Sequence, residues 1–217
     1  MARDITPTAP PVSAEQAAGT RTASARERLL AAAGDLFYAE GVQSVGIDRV
    51  VEHAGVAKAS LYNLFGNKEG LVRAYLEARH DGTTGRLTAA IGRYREPRRR
   101  ILAVFEAQAQ IFAQPGFRGC AFVAAAAEAP RGGLIEQAAT EYRTWIRALF
   151  IDLAEQAGAA DPAELARQLQ IIYDGGIIAA WLDSDPSIAT SGRAAAEALL
   201  EAAVSRLEAT QRVASAP

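Results

Sequence analysis

The sequence predicts an all-α protein in which an N-terminal three-helix head is followed by a larger helical bundle. Apolar residues recur at helical spacing through most of the chain, and glycine, proline or a capping residue separates the periodic segments. The chain has 217 residues, half of them apolar, which is enough for one small domain and one larger domain with a sizeable core.

The totals of charged residues and cysteines exclude several classes of protein. A net charge of −2 and a pI near 5.8 lack the basic balance of a non-specific nucleic-acid coat protein, but they allow positive charge on one surface. Cys120 is the only cysteine, so an intrachain disulfide and a cysteine-rich metal site are excluded. Its apolar neighbours favour a small buried side chain over a redox sensor.

No segment of the sequence predicts contact with a membrane. No apolar run approaches the ~20 residues of a transmembrane helix, and the N-terminus lacks the apolar core of a secretion signal. Together with the single cysteine, these features lead us to expect a protein of the reducing cytoplasm.

The chain begins with a segment, residues 1–21, that is rich in Pro, Ala, Thr and Ser and has no periodicity. This composition predicts a disordered arm, most simply a solvated tail; the alternative is a contact of Arg3 or Arg21 with a nucleic acid. A helix over about residues 22–40 follows, and Gly41 closes it. Its inward stripe consists of Leu29, Leu30, Ala33, Leu36 and Phe37.

Two short helices follow within residues 46–65. The first has one apolar face, and Gly55 ends it by adopting the left-handed conformation of a tight turn. The second has an apolar face and a polar outer face. Two short helices joined by a glycine-containing turn form a helix-turn-helix, whose second helix usually lies in the DNA major groove. The apolar residues are Ile47, Val50, Val51 and Ala54 in the first helix and Val56, Leu61 and Phe65 in the second.

The outer face of the second short helix carries side chains suited to DNA. Lys58 is a point charge for a phosphate or a guanine edge, and Asn63 can pair bidentately with adenine. Ser60 can bond base edges or phosphate, while Tyr62 offers a hydroxyl to a phosphate and a ring to a thymine methyl or a sugar. Short amphipathic helix pairs also occur in all-α proteins that never touch DNA, so the pattern alone leaves both interpretations open.

These residues also carry a resemblance to a known family. The segment AGVAKASLYNLFGNKEGLV, with RERLLAAAGDLFYAEGVQSVGIDRVVEHAGV before it, resembles the signature of the TetR family of bacterial one-component repressors. The resemblance implies a DNA-binding domain over residues 22–82 and an effector-binding and dimerisation domain over residues 83–217. The positions in register are Gly41, Ala54-Gly55-Val56, Leu61-Tyr62, Phe65 and Lys68-Glu69.

The resemblance also widens the set of candidate DNA contacts. It implies that Arg26 can reach a phosphate beside the recognition helix, although the adjacent Glu27 offers a surface pair instead. Two positions depart from the family's commonest pattern. Gly46 replaces a Ser or Thr that caps the second helix and reaches a phosphate, and Leu64 replaces a His or Tyr that touches the DNA backbone. The full candidate set is Arg26, Gly46, Ile47, Lys58, Ala59, Ser60, Tyr62, Asn63 and Lys68.

A long fourth helix and five further helices complete the predicted fold. Asn67 caps the fourth helix, which extends to about Tyr94 although Gly82 and Gly85 loosen it. The resemblance implies that this helix connects the DNA-binding head to the ligand-binding body. The later helices are predicted over about residues 97–114, in an alanine-rich segment ending at Pro130, and over about residues 134–156, 162–183 and 187–210.

The middle helices predict a site for a small molecule. An apolar pocket with few polar groups between bundle helices is the usual ligand site, although aromatic residues at helical spacing are more often core. The apolar excess predicts a hydrophobic or aromatic effector, and no cofactor is expected. The candidate ligand-binding residues are Phe105, Gln108, Phe112, Phe122, Tyr142, Trp145 and Tyr173.

The last two helices predict a homodimer. The helix over residues 162–183 is apolar nearly all round, so it must be buried on every side, and a second subunit is the simplest cover. A twofold dimer, which the resemblance implies, places two heads about one duplex turn apart, where they can read a palindromic operator. The candidate interface residues are Tyr173, Gly176, Ile177, Trp181, Ala198 and Ala202.

The leading hypothesis is therefore a ligand-responsive DNA-binding transcription regulator, a repressor that a small hydrophobic effector releases from its operator. The alternative is a helical small-molecule-binding or scaffold protein that has lost DNA binding. An enzyme is not expected, because the sequence shows no catalytic constellation and no glycine-rich phosphate loop. No metal site is expected either, because His53 and His80 are isolated.

Overall fold

The computed structural model describes residues 23–214 of the chain, with side-chain surroundings as far as residue 204. Within this range it contains nine α-helices and no strand, so the predicted all-α class is confirmed. The arm predicted over residues 1–21 lies outside the described residues. The helices are α1 Ala25–Glu40, α2 Ile47–Ala54, α3 Lys58–Phe65, α4 Lys68–Ile91, α5 Pro97–Phe112, α6 Ala121–Glu128, α7 Leu134–Gln156, α8 Pro162–Leu182 and α9 Ile188–Ala214.

Side-chain caps set where several of these helices begin. The Ser24 hydroxyl accepts the Glu27 N–H and the Glu27 carboxylate accepts the Ser24 N–H, at 3.2 and 2.7 Å, which is a complete capping box for α1. The Asn67 side chain accepts the Gly70 N–H at 2.9 Å and starts α4. Asp161 caps α8 in the same way. The predicted starts of α4 and α8 agree with these caps because each cap is a local interaction between neighbours in sequence, whereas α1 begins at Ala25 and not at about residue 22.

The head packs α1, α2 and α3 around one small core. Leu29, Val50 and Leu61 supply one fully buried side chain from each helix. Gly55 ends α2 with φ 61°, a conformation that favours glycine, and its carbonyl accepts a hydrogen bond from the Arg28 guanidinium at 3.1 Å. These contacts fix the angle between α2 and α3, as a helix-turn-helix requires.

Helix α4 is continuous from Lys68 to Ile91, so Gly82 and Gly85 do not interrupt it. Near its start it packs on α1 and α3 of the head, and it also packs on α5 and α7 of the body. The domain boundary expected after residue 82 therefore lies inside a helix that both parts share.

The body is a bundle in which α8 lies between α7 and α9, and α5 packs against α4, α7 and α9. Phe105 and Phe150, with ring centroids 6.0 Å apart, lie at its centre. One face of α8 remains uncovered within a single chain, where Ile171 and Leu182 are 66% and 67% exposed. Among the described helices, none has the combined length and apolar character needed to cross a bilayer.

Two leucines of α3 provide a matched test of the head core. Leu61 is fully buried and Leu64 is 43% exposed, so the same substitution in the same helix removes core packing in only one case. We expect Leu61→Ala to lower the free energy of unfolding by about 2–5 kcal/mol, and Leu64→Ala to change it little. Urea unfolding followed by circular dichroism measures both; equal effects would show that α3 is not packed through Leu61.

Candidate functional site

The outer face of α3 is open to solvent. Lys58, Ala59 and Asn63 are exposed and Tyr62 is 45% exposed, whereas Ser60 is half-buried, so four of the five α3 candidates face outwards fully. Ser60 directly precedes Leu61, which is fully buried in the core of the head. An exposed tyrosine, asparagine and lysine on one helix form a surface that can hydrogen bond to bases and phosphates.

Lys58 makes an ion pair that sequence reasoning did not anticipate. Its ammonium lies 2.6 Å from the Asp48 carboxylate of α2, and this hydrogen bond raises the pKa of Lys58. Both side chains are more than half exposed, so water screens the pair and it contributes little to stability. A phosphate can therefore replace Asp48 as the partner of Lys58.

The remaining candidates of the head lie around α3. Arg26 is exposed, with its guanidinium 5.7 Å from the centroid of the Phe65 ring, and Glu27 is occupied in the capping box instead of pairing with it. The Lys68 ammonium donates to the Gln43 carbonyl at 3.3 Å. Gly46 precedes α2 without any side-chain cap, and Ile47 next to it is half-buried. The first N–H groups of α2 thus have no side-chain acceptor.

A cavity of about 90 Å³ is lined by residues of α1, α4, α5, α6, α7 and α8 and of the loop before α6. Five of the seven predicted ligand-binding residues line it. Phe105 and Trp145 do not: the first is buried in the core against Phe150, and the second packs on His80 with ring centroids 4.9 Å apart. The five lining residues are Gln108, Phe112, Phe122, Tyr142 and Tyr173.

Buried polar groups form one wall of the cavity. The Gln108 side-chain amide donates to the Tyr173 carbonyl at 2.9 Å, and the hydroxyls of Tyr142 and Tyr173 lie 3.2 Å apart. Burial raises the pKa of Tyr142 and raises that of Tyr173 to about 12. Both hydroxyls are therefore neutral at physiological pH, and the Tyr142 ring stacks on Phe122 at 3.9 Å.

Three polar residues of α4 complete the cavity, and the sequence analysis did not select them. Arg79, Thr83 and Arg86 stand at i, i+4 and i+7, which places them on one side of the helix. The predicted ligand contacts lie only in the middle helices, after α4. The feature that indicates these three polar contacts is a gap in the apolar stripe of α4, which has no buried apolar residue between Leu76 and Leu87.

Two further residues, Cys120 and His80, lie at or near the cavity. Cys120 lines the cavity and is half-buried, and burial raises the pKa of its thiol, so the thiolate is disfavoured. His80, for which no metal role was expected, packs edge-on against Tyr142 and at a tilt against Trp145, because the helical turn of α4 before the cavity faces α7.

Helix α6 connects the cavity to the head. Phe122 near its start lines the cavity, and Glu128 at its end accepts the backbone N–H of Gln43 at 2.7 Å. The Gln43 side chain returns a hydrogen bond to the Glu128 carbonyl at 3.2 Å. Gly41, with φ 91°, lies so close that a Cβ atom there would be 2.7 Å from the Glu128 Oε1 atom. We call this group of contacts the α6 hook.

Some of the predicted interface residues on α8 and α9 are exposed, and others are buried within the chain. Trp181, Ala198 and Ala202 are exposed and Gly176 is half-buried. Tyr173 and Ile177, in contrast, are 4% and 9% exposed and line the cavity. The expectation that these two residues face a second subunit needs correction, because they point into the body of their own chain.

Substitution of Glu128 tests the α6 hook. We expect Glu128→Ala to accelerate hydrogen exchange at the Gln43 amide by up to about fivefold, because an exposed hydrogen bond to a carboxylate contributes about 1 kcal/mol or less. Exchange resolved by NMR measures this rate. Glu155→Ala, an exposed position in the last turn of α7, is the control; unchanged exchange at Gln43 in the Glu128 variant would refute the hook.

Comparison with known proteins adds a family and a fold. Residues 29–75 match the family model described as bacterial regulatory proteins, tetR family. The structure of SCO4454, a TetR-family transcriptional regulator from Streptomyces coelicolor, shares 35% identity and a TM-score of 0.79, covering 83% of this chain and 96% of that one. A TetR-type regulator from Streptomyces avermitilis shares 34% identity and a TM-score of 0.72, over 83% and 98% of the two chains.

Curated relatives match over a shorter length. The HTH-type transcriptional repressor NemR of Escherichia coli is 35% identical over 108 residues, which are 48% of this chain and 53% of NemR. The HTH-type transcriptional activator FasR of Mycolicibacterium smegmatis is 33% identical over 82 residues, 38% of this chain and 37% of FasR. The chain thus spans about half the length of the first of these relatives and less of the second.

Proposed function

The chain belongs to the TetR family of bacterial regulatory proteins, and from this premise we propose that it is a homodimeric DNA-binding transcription regulator controlled by a small molecule. The observation that carries the proposal is the exposed polar face of α3, held outwards by a buried helix-turn-helix core. The relatives named above are transcriptional regulators and not enzymes. A regulator of this kind works where the chromosome lies, in the bacterial cytoplasm.

In the proposed complex α3 lies in the major groove. The exposed Tyr62 and Asn63 meet base edges or the adjoining backbone, while Lys58 exchanges Asp48 for a phosphate. The uncapped start of α2 at Gly46 directs N–H groups to a second phosphate. Arg26 stands beside α3, close to the Phe65 ring, and adds a positive charge at the edge of the surface.

We propose repression as the sense of regulation. NemR, with the longer curated match, is a repressor, whereas FasR is an activator, so the relatives include both senses. A repressor needs only to occupy its operator and then leave it. A salt-sensitive, sequence-dependent mobility shift with DNA upstream of the chain's own gene tests DNA binding; its absence would favour the alternative of a helical ligand-binding or scaffold protein.

The proposed dimer uses the uncovered face of α8 and a neighbouring stripe of small residues on α9. Ile171, Ile178 and Leu182 stand at i, i+7 and i+11, and each is at least 43% exposed in a single chain. Ala198 and Ala202, one helical turn apart on α9, are exposed as well and allow close approach of a second helix. Covering this exposed apolar surface with a twofold-related subunit would stabilise a dimer.

The size of the cavity suggests how a ligand changes affinity for DNA. The cavity of about 90 Å³, which is partly open to solvent, is smaller than an engineered cavity of about 150 Å³ that holds benzene. A bound effector therefore favours a conformation with a wider cavity, whose walls include α4 and α6, and both helices contact the head. The coupling free energy between an effector site and a DNA site is typically about 1–3 kcal/mol. A coupling of this size is enough to release a repressor from its operator.

Tyr62 provides the sharpest test of the DNA interface. We expect Tyr62→Ala to weaken operator binding by about 1–3 kcal/mol while leaving thermal unfolding unchanged, because the side chain is exposed. Tyr62→Phe separates the hydroxyl from the ring: it keeps the contact with a sugar or thymine methyl and loses only the phosphate bond. Fluorescence anisotropy with operator and scrambled duplexes measures both variants, and wild-type affinity in Tyr62→Ala would place α3 outside the groove.

A pair of matched substitutions tests the dimer. Ile178 on α8 and Val123 on α6 are 43% and 46% exposed in a single chain, but only Ile178 lies on the proposed interface. We expect Ile178→Glu to yield monomers, because a dimer would bury an unpaired carboxylate, and Val123→Glu to remain dimeric. Sedimentation velocity distinguishes the species; a dimeric Ile178→Glu variant would refute this interface.

A further inference from the structure

We propose that the effector is an apolar carboxylic acid whose carboxylate is bound by Arg79 and Arg86 of α4. The proposal rests on the proposed function, because it assigns a ligand class to the cavity of that regulator. In this proposal the two arginines of α4 select the ligand. The apolar composition of the middle helices did not suggest a charged ligand.

The charge of the cavity wall is the first observation. Two arginines line the cavity and no aspartate or glutamate does, although the whole chain has a net charge of −2. Asp174 of the neighbouring α8 is held by Arg143, with an N–O distance of 2.6 Å. Neither Arg79 nor Arg86 makes an ion pair with any carboxylate among the described residues. The cavity therefore has a local positive charge that a ligand can neutralise.

The two arginines are held in place by uncharged groups. The Arg79 guanidinium lies 3.9 Å from the centroid of the Tyr38 ring, and its Nε donates to the Tyr75 hydroxyl at 3.4 Å. The Arg86 guanidinium donates to the Thr83 hydroxyl at 2.9 Å. These contacts orient both side chains without cancelling their charge, which is the arrangement expected of a preorganised anion site.

Arg86 folds back along its own helix towards Gly82. A Cβ atom on Gly82 would lie 3.7 Å from an Arg86 terminal nitrogen, so the guanidinium passes over a residue with no side chain. The Thr83 hydroxyl below it donates to the Arg79 carbonyl at 3.0 Å. Arg86 is exposed at the cavity mouth, while Arg79 is half-buried. An acid entering from solvent therefore meets Arg86 first.

Much of the remaining lining is apolar and aromatic. Phe112 and Phe117 lie with ring centroids 5.1 Å apart, and Phe122 stacks on Tyr142 beside them. A ligand that contacts both the arginines and the aromatic side chains needs a hydrophobic body with a single anionic end. Guanidinium groups bind carboxylates through paired hydrogen bonds, and a compact monoanion suits a small, half-apolar cavity better than a strongly hydrated phosphate.

Binding measurements with acids and their neutral amides test the ligand class. The probes are benzoate, 2-naphthoate and octanoate, each compared by isothermal titration calorimetry with the corresponding amide on the full-length chain. We expect at least one acid to bind about tenfold or more tightly than its amide, because a charged hydrogen bond is lost in the amide. The aromatic and aliphatic acids distinguish a ring from a chain as the apolar body.

Substitution of Arg86 links that preference to α4. Arg86→Gln should reduce the affinity for the preferred acid about tenfold and leave that for its amide unchanged, whereas Arg95→Gln, another exposed arginine, should change neither. Arg79→Gln should act in the same way, with circular dichroism as the check on its fold. The proposal is overturned if no acid binds, if acid and amide bind equally, or if Arg86→Gln weakens both equally.

The DNA-binding assay keeps this proposal separate from the proposed function. An operator shift without any acid preference would overturn the ligand class and leave the regulator intact. A ten-fold acid preference without any operator shift would support the ligand class and remove the DNA-binding role.

Discussion

The structure depends on the uninterrupted backbone of α4, because this helix carries contacts with both parts of the molecule. Near its start Leu71 and Tyr75 are buried, and near its end Leu87 and Ile91 are buried. Head and body therefore cannot rotate relative to each other without tilting α4 or breaking one of these packed ends. The cavity lies beside the stretch between them, where polar residues replace the apolar stripe. A change in cavity shape thus acts on the helix that positions α3.

Much of the fold was predictable because its determinants are local in sequence. Caps such as Ser24, Asn67 and Asp161 lie within three residues of the groups they bond, and the glycine that ends α2 needs only its own conformation. The outward face of α3 was predictable for the same reason, since the period of a helix decides which side chains oppose the buried Leu61.

The rest depends on which helices meet, and the sequence does not specify this locally. Because α8 is apolar on all sides, its pattern could not show that Tyr173 and Ile177 face the cavity and that Ile171 and Ile178 face outwards. The cavity combines residues from six helices, so the role proposed for Arg79 and Arg86 can be inferred only when these helices are brought together. The α6 hook likewise joins residues 85 positions apart.

The pair formed by Asp48 and Lys58 has a consequence for how the protein would search a chromosome. In the proposed complex, an acidic group beside Lys58 would lower the number of counterions that arbitrary duplex releases on contact, and so weaken binding to unrelated sequence. Base-edge bonds that hold α3 in the groove would recover this loss by letting Lys58 exchange Asp48 for a phosphate. The exposed pair would then favour discrimination between sites over tight binding in general.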